Sequence, residues 1–397
     1  MTDAKKFSAE TRVAHAGRAP LENYGVVNPP VYHASTILFK SLEEMDERAR
    51  NKMQPENINY GRQGTPSTFP LERAIAELEG GDHAFTVSSG LGAITTALFA
   101  FVKTGDRILM PDTVYAPTRM FCNDILRKMG VETVYYDPLA GSDIAALITG
   151  NTSVVFVESP GSLTFEIQDI PAIAEAAHAK GAIVMLDNTW GTPLYCKSFE
   201  LGVDVSVHAG TKYIVGHSDA MLGLIVTTDE HYTTVKNSVY HLGQCAGPDD
   251  IYLGQRGLRT MAVRLKQHHE SGLQVAKWLS ERPEVARVLH PALPEHPGHE
   301  LWKRDFSGTC GLFAFILDRH YSRTAMAAMV DNMELFGMGY SWGGYESLIL
   351  PANPASIRTA TKWEVEGDLV RLHIGLENVE DLISDLDAGF KRLSANA

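Results

Sequence analysis

Lys212 closes the run Val207-His208-Ala209-Gly210-Thr211-Lys212-Tyr213, just past a strand-like segment. Asp187-Asn188-Thr189 closes the preceding strand-like run, Ala182-Ile183-Val184-Met185-Leu186. An amine at one strand end and a carboxylate at the end of another can serve one chemistry between them. The amine condenses with an aldehyde. The carboxylate keeps a pyridine nitrogen protonated, so that the ring can draw electrons from a carbanion. That pairing is what pyridoxal phosphate (PLP) asks of a protein. Two loop residues on any α/β sheet would look the same in isolation, although ligands do favour the carboxyl ends of sheet strands.

Other short runs supply the remaining groups such a site would need. Ser88-Ser89-Gly90-Leu91-Gly92-Ala93 follows a strand and opens a helix, so its backbone N–H groups and the positive helix end can face a phosphate. The same glycine-rich turn also serves plain packing. Thr211 could add a hydroxyl to that phosphate. Tyr60-Gly61-Arg62-Gln63-Gly64-Thr65-Pro66 offers an arginine fork and a phenol in a turn-rich loop, or simply a surface arginine. Tyr115, in Asp112-Thr113-Val114-Tyr115, follows another strand; its ring can stack on a heteroaromatic ligand, or it is a partly buried core tyrosine. Arg371, in Arg371-Leu372-His373-Ile374-Gly375, lies in an apolar strand, where an arginine is costly unless an acid or a ligand faces it. A bidentate grip on a substrate α-carboxylate would satisfy it. The aromatic, glycine-rich run Tyr340-Ser341-Trp342-Gly343-Gly344-Tyr345-Glu346-Ser347 reads equally well as a packing loop.

The elements that must position these residues alternate from Tyr60 onward. Helical patterns at 71–79, 92–102, 118–129, 143–148 and 171–180 separate apolar strands at 84–87, 107–110, 131–136, 154–158 and 182–187. Strands at 203–207 and 222–227 follow. Continuous Val/Ile/Leu strands between helices predict a mostly parallel sheet covered on both faces. Residues 1–59 read as an irregular N-terminal arm with one short helix at 42–50, extended at Pro29-Pro30. Residues 60–248 form the expected ligand-binding α/β domain. Residues 249–397 form a smaller C-terminal α/β domain, entered through a linking helix at 249–282 that Pro283 ends, with strands at 285–289, 311–317, 348–350 and 369–374 and helices at 324–335 and 379–393.

Composition narrows the function classes. With 397 residues the chain exceeds one core and suggests about two or three domains. Apolar content of 44% against 21% charged is ordinary for a soluble globular protein. A net charge of −13, without a basic patch or arm, argues against nucleic acid as a partner. The start, Met1-Thr2-Asp3-Ala4-Lys5-Lys6, lacks an apolar signal core, and no apolar run is long enough to span a bilayer. Cys122, Cys196, Cys245 and Cys310 are widely spaced and read as buried thiols of a reducing cytoplasm. No histidine spacing suits a metal, and His268-His269, in a basic amphipathic helix, read as solvated.

Taken together, these stretches resemble the γ-family of fold-type I PLP enzymes, the cystathionine-handling lyases and synthases. The resemblance runs from about His15 to Arg392 and is carried by Asn28-Pro29-Pro30-Val31-Tyr32, Glu158-Ser159-Pro160-Gly161-Ser162, Lys212 through Asp219 and Tyr340 through Leu348. Relatives acting at the γ-carbon more often show Ser-Pro-Thr-Asn-Pro where this chain has Ser159-Pro160-Gly161-Ser162-Leu163, and leucine at the position of Trp342. Those departures favour the branch that acts at the β-carbon. The resemblance implies the PLP-dependent transferase-like fold, with a mostly parallel seven-stranded sheet flanked by helices and a smaller C-terminal α/β domain. It implies pyridoxal 5′-phosphate bound through Lys212, Asp187 at the ring nitrogen and Tyr115 stacked on the ring. Gly90, Leu91 and Thr211 would hold the phosphate, joined by Tyr60 and Arg62 of a neighbouring subunit. Ser341, Trp342 and Arg371 would anchor the substrate carboxylate, and Tyr240 would line the distal pocket. Some relatives carry a second arginine where this chain has Gln63, so the resemblance does not settle how the far end of the substrate is bound. The implied activity is β-elimination of L-cystathionine and other cysteine S-conjugates, in methionine biosynthesis. A γ-carbon lyase and a non-catalytic PLP-binding regulator are the alternatives. A cytoplasmic homotetramer, a dimer of dimers sharing active sites, is the implied assembly.

Overall fold

Seven strands build the main sheet of the computed structural model, which describes residues 6–397. They are β1 (His83–Val87), β2 (Arg107–Pro111), β3 (Glu132–Tyr136), β4 (Thr152–Glu158), β5 (Ile183–Asp187), β6 (Val205–Ala209) and β7 (Gly223–Thr227). Their order is β1-β7-β6-β5-β4-β2-β3. The pairs from β6 to β3 are parallel, and β7 runs antiparallel to both β1 and β6. Helices cover both faces, so both side-chain sets of a strand are buried. In β4, Val155 and Val157 enter one apolar cluster while Val154 and Phe156 enter another on the opposite face. The predicted fold class holds.

A second sheet, wholly antiparallel, follows in the order β10-β11-β9-β8: β8 (Val285–Leu289), β9 (Leu312–Leu317), β10 (Leu348–Ala352) and β11 (Leu369–His373). It packs with helices Arg323–Val330 and Val379–Ala395 around its own apolar cluster. Helix Pro248–Ser280 joins the two units. Its Leu258, Met261 and Leu265 enter the main cluster, and its Val275, Ala276 and Leu279 the second.

Several sequence expectations need correction. The arm is not irregular throughout. Helix Ala9–His15 forms there because Val13 is buried and Arg259 donates to the carbonyls of Val13 and Ala16 at 3.0 and 2.8 Å. Met1–Lys5, which carry most of the start read as lacking a signal core, lie outside the described residues. Helix Asp229–His241 also escaped the reading. His268 is fully buried rather than solvated: its Nδ1 donates to the Ile374 carbonyl at 2.8 Å, and burial pushes its pKa down to about 4. Of the four thiols, Cys245 is exposed and the other three are buried. Among the described residues, no helix is long and apolar enough to cross a membrane, and no cluster of His, Cys, Asp and Glu could hold a metal ion.

Candidate active site

Strand ends meet at a cavity of about 440 Å³, within the range of small-molecule sites. Lys212 sits in the turn after β6, where its N–H donates to the Ala209 carbonyl at 3.0 Å. Its Nζ donates to Ser341 Oγ at 2.6 Å and stands 5.4 Å from the Trp342 ring centroid. Burial first, and then the Arg371 charge, lower its pKa to about 8. The coenzyme-free protein should therefore take up an aldehyde faster as pH rises, by about tenfold per pH unit up to about 8 and little beyond, because only the free amine attacks. Stopped-flow absorbance after adding PLP checks this. A rate still climbing tenfold per unit near pH 10 would contradict it.

Asp187 ends β5, and its register partner on β4 is Glu158. Parallel pairing thus sets two acids side by side at the carboxyl edge. Asp187 Oδ1 accepts from the Thr189 N–H and hydroxyl, at 3.0 and 2.5 Å. Thr189 Oγ1 in turn accepts from the Ala209 N–H at 2.8 Å, tying β5 to the lysine strand. Burial raises the pKa of Asp187 despite those bonds, and its other oxygen has no hydrogen-bond partner among the described residues. Glu158 is raised well above the carboxylate range by burial and by Asp187, and accepts from the Tyr115 N–H at 2.8 Å. Sequence reasoning missed Glu158 as a site residue. Its place at the end of a parallel strand was the available signal.

Arg371 stands mid-strand in β11, and no acid among the described residues lies within ion-pair distance of it. Its Nη2 donates to the Ser341 carbonyl at 3.2 Å, and burial lowers its pKa. The internal-acid alternative is thereby removed, leaving an unneutralised guanidinium at the cavity wall. Ser341 holds φ +88°, a strained value for a residue with a side chain, as expected where surroundings over-determine a functional loop.

Nine of the predicted residues line this one cavity: Lys212, Asp187, Tyr115, Gly90, Leu91, Thr211, Ser341, Trp342 and Arg371. Thr211 Oγ1 already donates to the Leu222 carbonyl at 3.2 Å. Tyr60, Arg62 and Tyr240 do not line it. Arg62 and Tyr240 share a separate cleft, where Arg62 Nη1 donates to the Tyr240 carbonyl at 2.9 Å, and Gln63 lies beside them.

The residues fit PLP on structural grounds. A buried acid with a spare oxygen suits a protonated ring nitrogen. At the start of helix Gly90–Phe101, Ser89 Oγ caps the Gly92 N–H at 3.0 Å, and the Ser89 carbonyl accepts from Ala93, which leaves the amides of Gly90 and Leu91 for a phosphate. A Cβ on Gly90 would stand 2.5 Å from that of Ala209, so only glycine lets this helix end approach the lysine strand. An amine of lowered pKa completes the set.

Sheet, strand-end cavity and lysine together define a fold-type I PLP enzyme. Within that class the chain belongs to the Cys/Met metabolism PLP-dependent enzymes, whose pattern matches residues 10–391. It is 47% identical over 389 residues to cystathionine beta-lyase MetC of Escherichia coli, covering 97% of this chain and 98% of that one. Cystathionine beta-lyase of Salmonella typhimurium is 46% identical, over 99% and 100%. The crystal structure of metB from Corynebacterium glutamicum superposes with a TM-score of 0.89 at 31% identity, over 98% of this chain and 100% of that one.

Proposed function

We propose that this chain is a PLP-dependent carbon–sulfur lyase that cleaves L-cystathionine at the β-carbon, yielding L-homocysteine, pyruvate and ammonia. The observation that carries the reading is one cavity holding a lysine of lowered pKa, an acid with a free oxygen and an arginine without an acid partner. A site that only bound PLP would have no use for the last. Full-length identity to named β-lyases, with Ser159-Pro160-Gly161-Ser162 and Trp342 in place, supports the β-carbon over the γ-carbon.

PLP, when bound, supplies an aldehyde for the substrate amine and a ring that accepts the electron pair left at Cα. Water converts the eliminated product to pyruvate and ammonia, and the chain's residues do the rest. Arg371 holds the substrate carboxylate, and Ser341 orients Lys212 Nζ through their 2.6 Å bond. Lys212 Nζ, an amine of lowered pKa at the cavity wall, would take the Cα proton and return it to the departing sulfur. Tyr115, half exposed in the cavity, is a second proton donor, its pKa raised by burial and then by Asp187. Through its free oxygen, Asp187 would hold a proton at the ring nitrogen of the bound coenzyme. Glu158, uncharged when protonated, fixes the Tyr115 backbone without adding a second negative charge.

Product analysis tests the reading. Purified protein given L-cystathionine should release pyruvate and homocysteine; 2-oxobutyrate and cysteine would instead assign γ-cleavage.

We further propose a homotetramer, a dimer of dimers in which Tyr60 and Arg62 complete a neighbour's phosphate site. That they do not line their own cavity supports this, as do the exposed Leu21, Tyr24, Leu38 and Leu42 of the arm, an apolar surface of the kind that marks interfaces. Light scattering should give about four times 43.5 kDa. An active monomer would contradict shared sites. We place the protein in the cytoplasm, a reading supported by its four unpaired thiols.

A further inference from the structure

Arg371 and His373 stand two residues apart on β11 and so point to the same face. Both reach the loop between Gly337 and Ser347. Arg371 grips the Ser341 carbonyl, whereas His373, 1% exposed, grips the loop on the other side of Trp342. The Gly343 N–H donates to His373 Nε2 at 3.0 Å, so that nitrogen carries no proton. Nδ1 lies 3.0 Å from the Glu346 carbonyl, to which only an N–H can bond. The two contacts fix the ring as neutral imidazole, protonated on Nδ1. Burial, and then neighbouring His268, push its pKa well below the usual histidine range, in the same sense.

What the ring holds is the part of the loop that touches Lys212. Gly343 has φ +85°, and a Cβ there would stand 2.9 Å from Lys212 Cα. Ser341, two residues earlier, is held at φ +88° with its Oγ on Lys212 Nζ. Such backbone persists only where its surroundings enforce it. Arg371 reaches the loop only before Trp342, at the Ser341 carbonyl, whereas the stretch from Gly343 to Glu346 is held by His373.

We propose that His373, as the neutral Nδ1–H tautomer, is the positioning residue that sets the carboxylate-binding loop against Lys212. It touches neither substrate nor coenzyme and acts through Gly343 and Glu346. The proposal rests on the PLP reading of the cavity. Its consequence is selective: binding of an amine that bears a carboxylate depends on His373, and binding of a bare amine does not.

Two variants separate this from mere packing. In H373Q the amide oxygen can occupy the place of Nε2 and accept from Gly343. H373N reaches only the place of Nδ1, keeps the Glu346 bond and leaves the Gly343 N–H without an acceptor. Holoprotein is titrated with glycine and with methylamine, following the visible absorbance of the bound coenzyme. H373N should bind glycine about tenfold more weakly than wild type, with methylamine affinity within about twofold, and H373Q should recover most of the loss. Equal weakening of both ligands in H373N would reduce His373 to packing and overturn the proposal, as would unchanged glycine affinity. Absence of any spectral response in wild type would instead remove the coenzyme reading, and this inference with it.

Discussion

Lys212→Ala is expected to abolish lyase turnover, by at least about 10⁴-fold, and to remove the covalently held coenzyme band from the protein's absorbance spectrum. Two separate losses combine. Alanine cannot hold the aldehyde, and among the described residues no other amine lines the cavity to replace it. The base that takes the Cα proton disappears with the same side chain, because Lys212 Nζ is the group that Ser341 orients at 2.6 Å. The phosphate cradle and Asp187 stay in place, so the variant should still bind PLP noncovalently. Borohydride treatment followed by mass analysis reads the attachment directly: wild type gains a reduced adduct on the peptide containing Lys212, and the variant gains none. An adduct on another lysine, or retained turnover, would falsify the assignment.

How much of this was legible in the sequence depended on how local each signal is. Lys212 and Asp187 could be found because a parallel sheet gathers its strand ends on one edge, and strand ends are local features. Glu158 was equally local but looked like an ordinary end of β4; only the register with Asp187 makes it a site residue. Arg371 announced itself as a charge in an apolar strand. Ser341 and Trp342 could be placed only through the family resemblance, since nothing in a glycine-rich run says which lysine it will cover. His268 misled for a related reason. It lies on the face of a 33-residue helix that Ile374 and Tyr213 cover from distant parts of the chain, and pattern alone assigned that face to solvent. Helix Asp229–His241 was missed because its Thr, Val, Asn and Ser content carries weak helix propensity. Tertiary contacts compensate: Val235 and Val239 are buried on one side, and Ser238 Oγ donates to the Thr96 carbonyl at 2.7 Å.

Asp187→Ala should lower turnover by about 10²–10³-fold while leaving Lys212 able to attach the coenzyme, a pattern distinct from the loss of the lysine. Ionised Asp187 stands in a buried position where, among the described residues, only Thr189 donates to it, and burial holds its pKa above the usual carboxylate value. A protonated ring nitrogen at the free oxygen would reverse that penalty and be stabilised by it in turn, so acid and ring hold one another's charge. With alanine the nitrogen would lose its counter-charge and with it the proton, and the ring would be a poorer acceptor for electrons from Cα. Proton removal from the substrate then slows although the base is intact. Asp187→Asn should behave nearly as badly despite its matching shape, because a neutral amide cannot keep the nitrogen charged; this separates an electrostatic role from a steric one. The measurements are kcat with L-cystathionine and the rate of Cα deuterium exchange in a non-eliminating amino acid such as L-alanine. Both should fall together. If exchange stays at the wild-type rate while turnover drops, the acid serves a step after deprotonation, and its place beside the ring nitrogen must be given up.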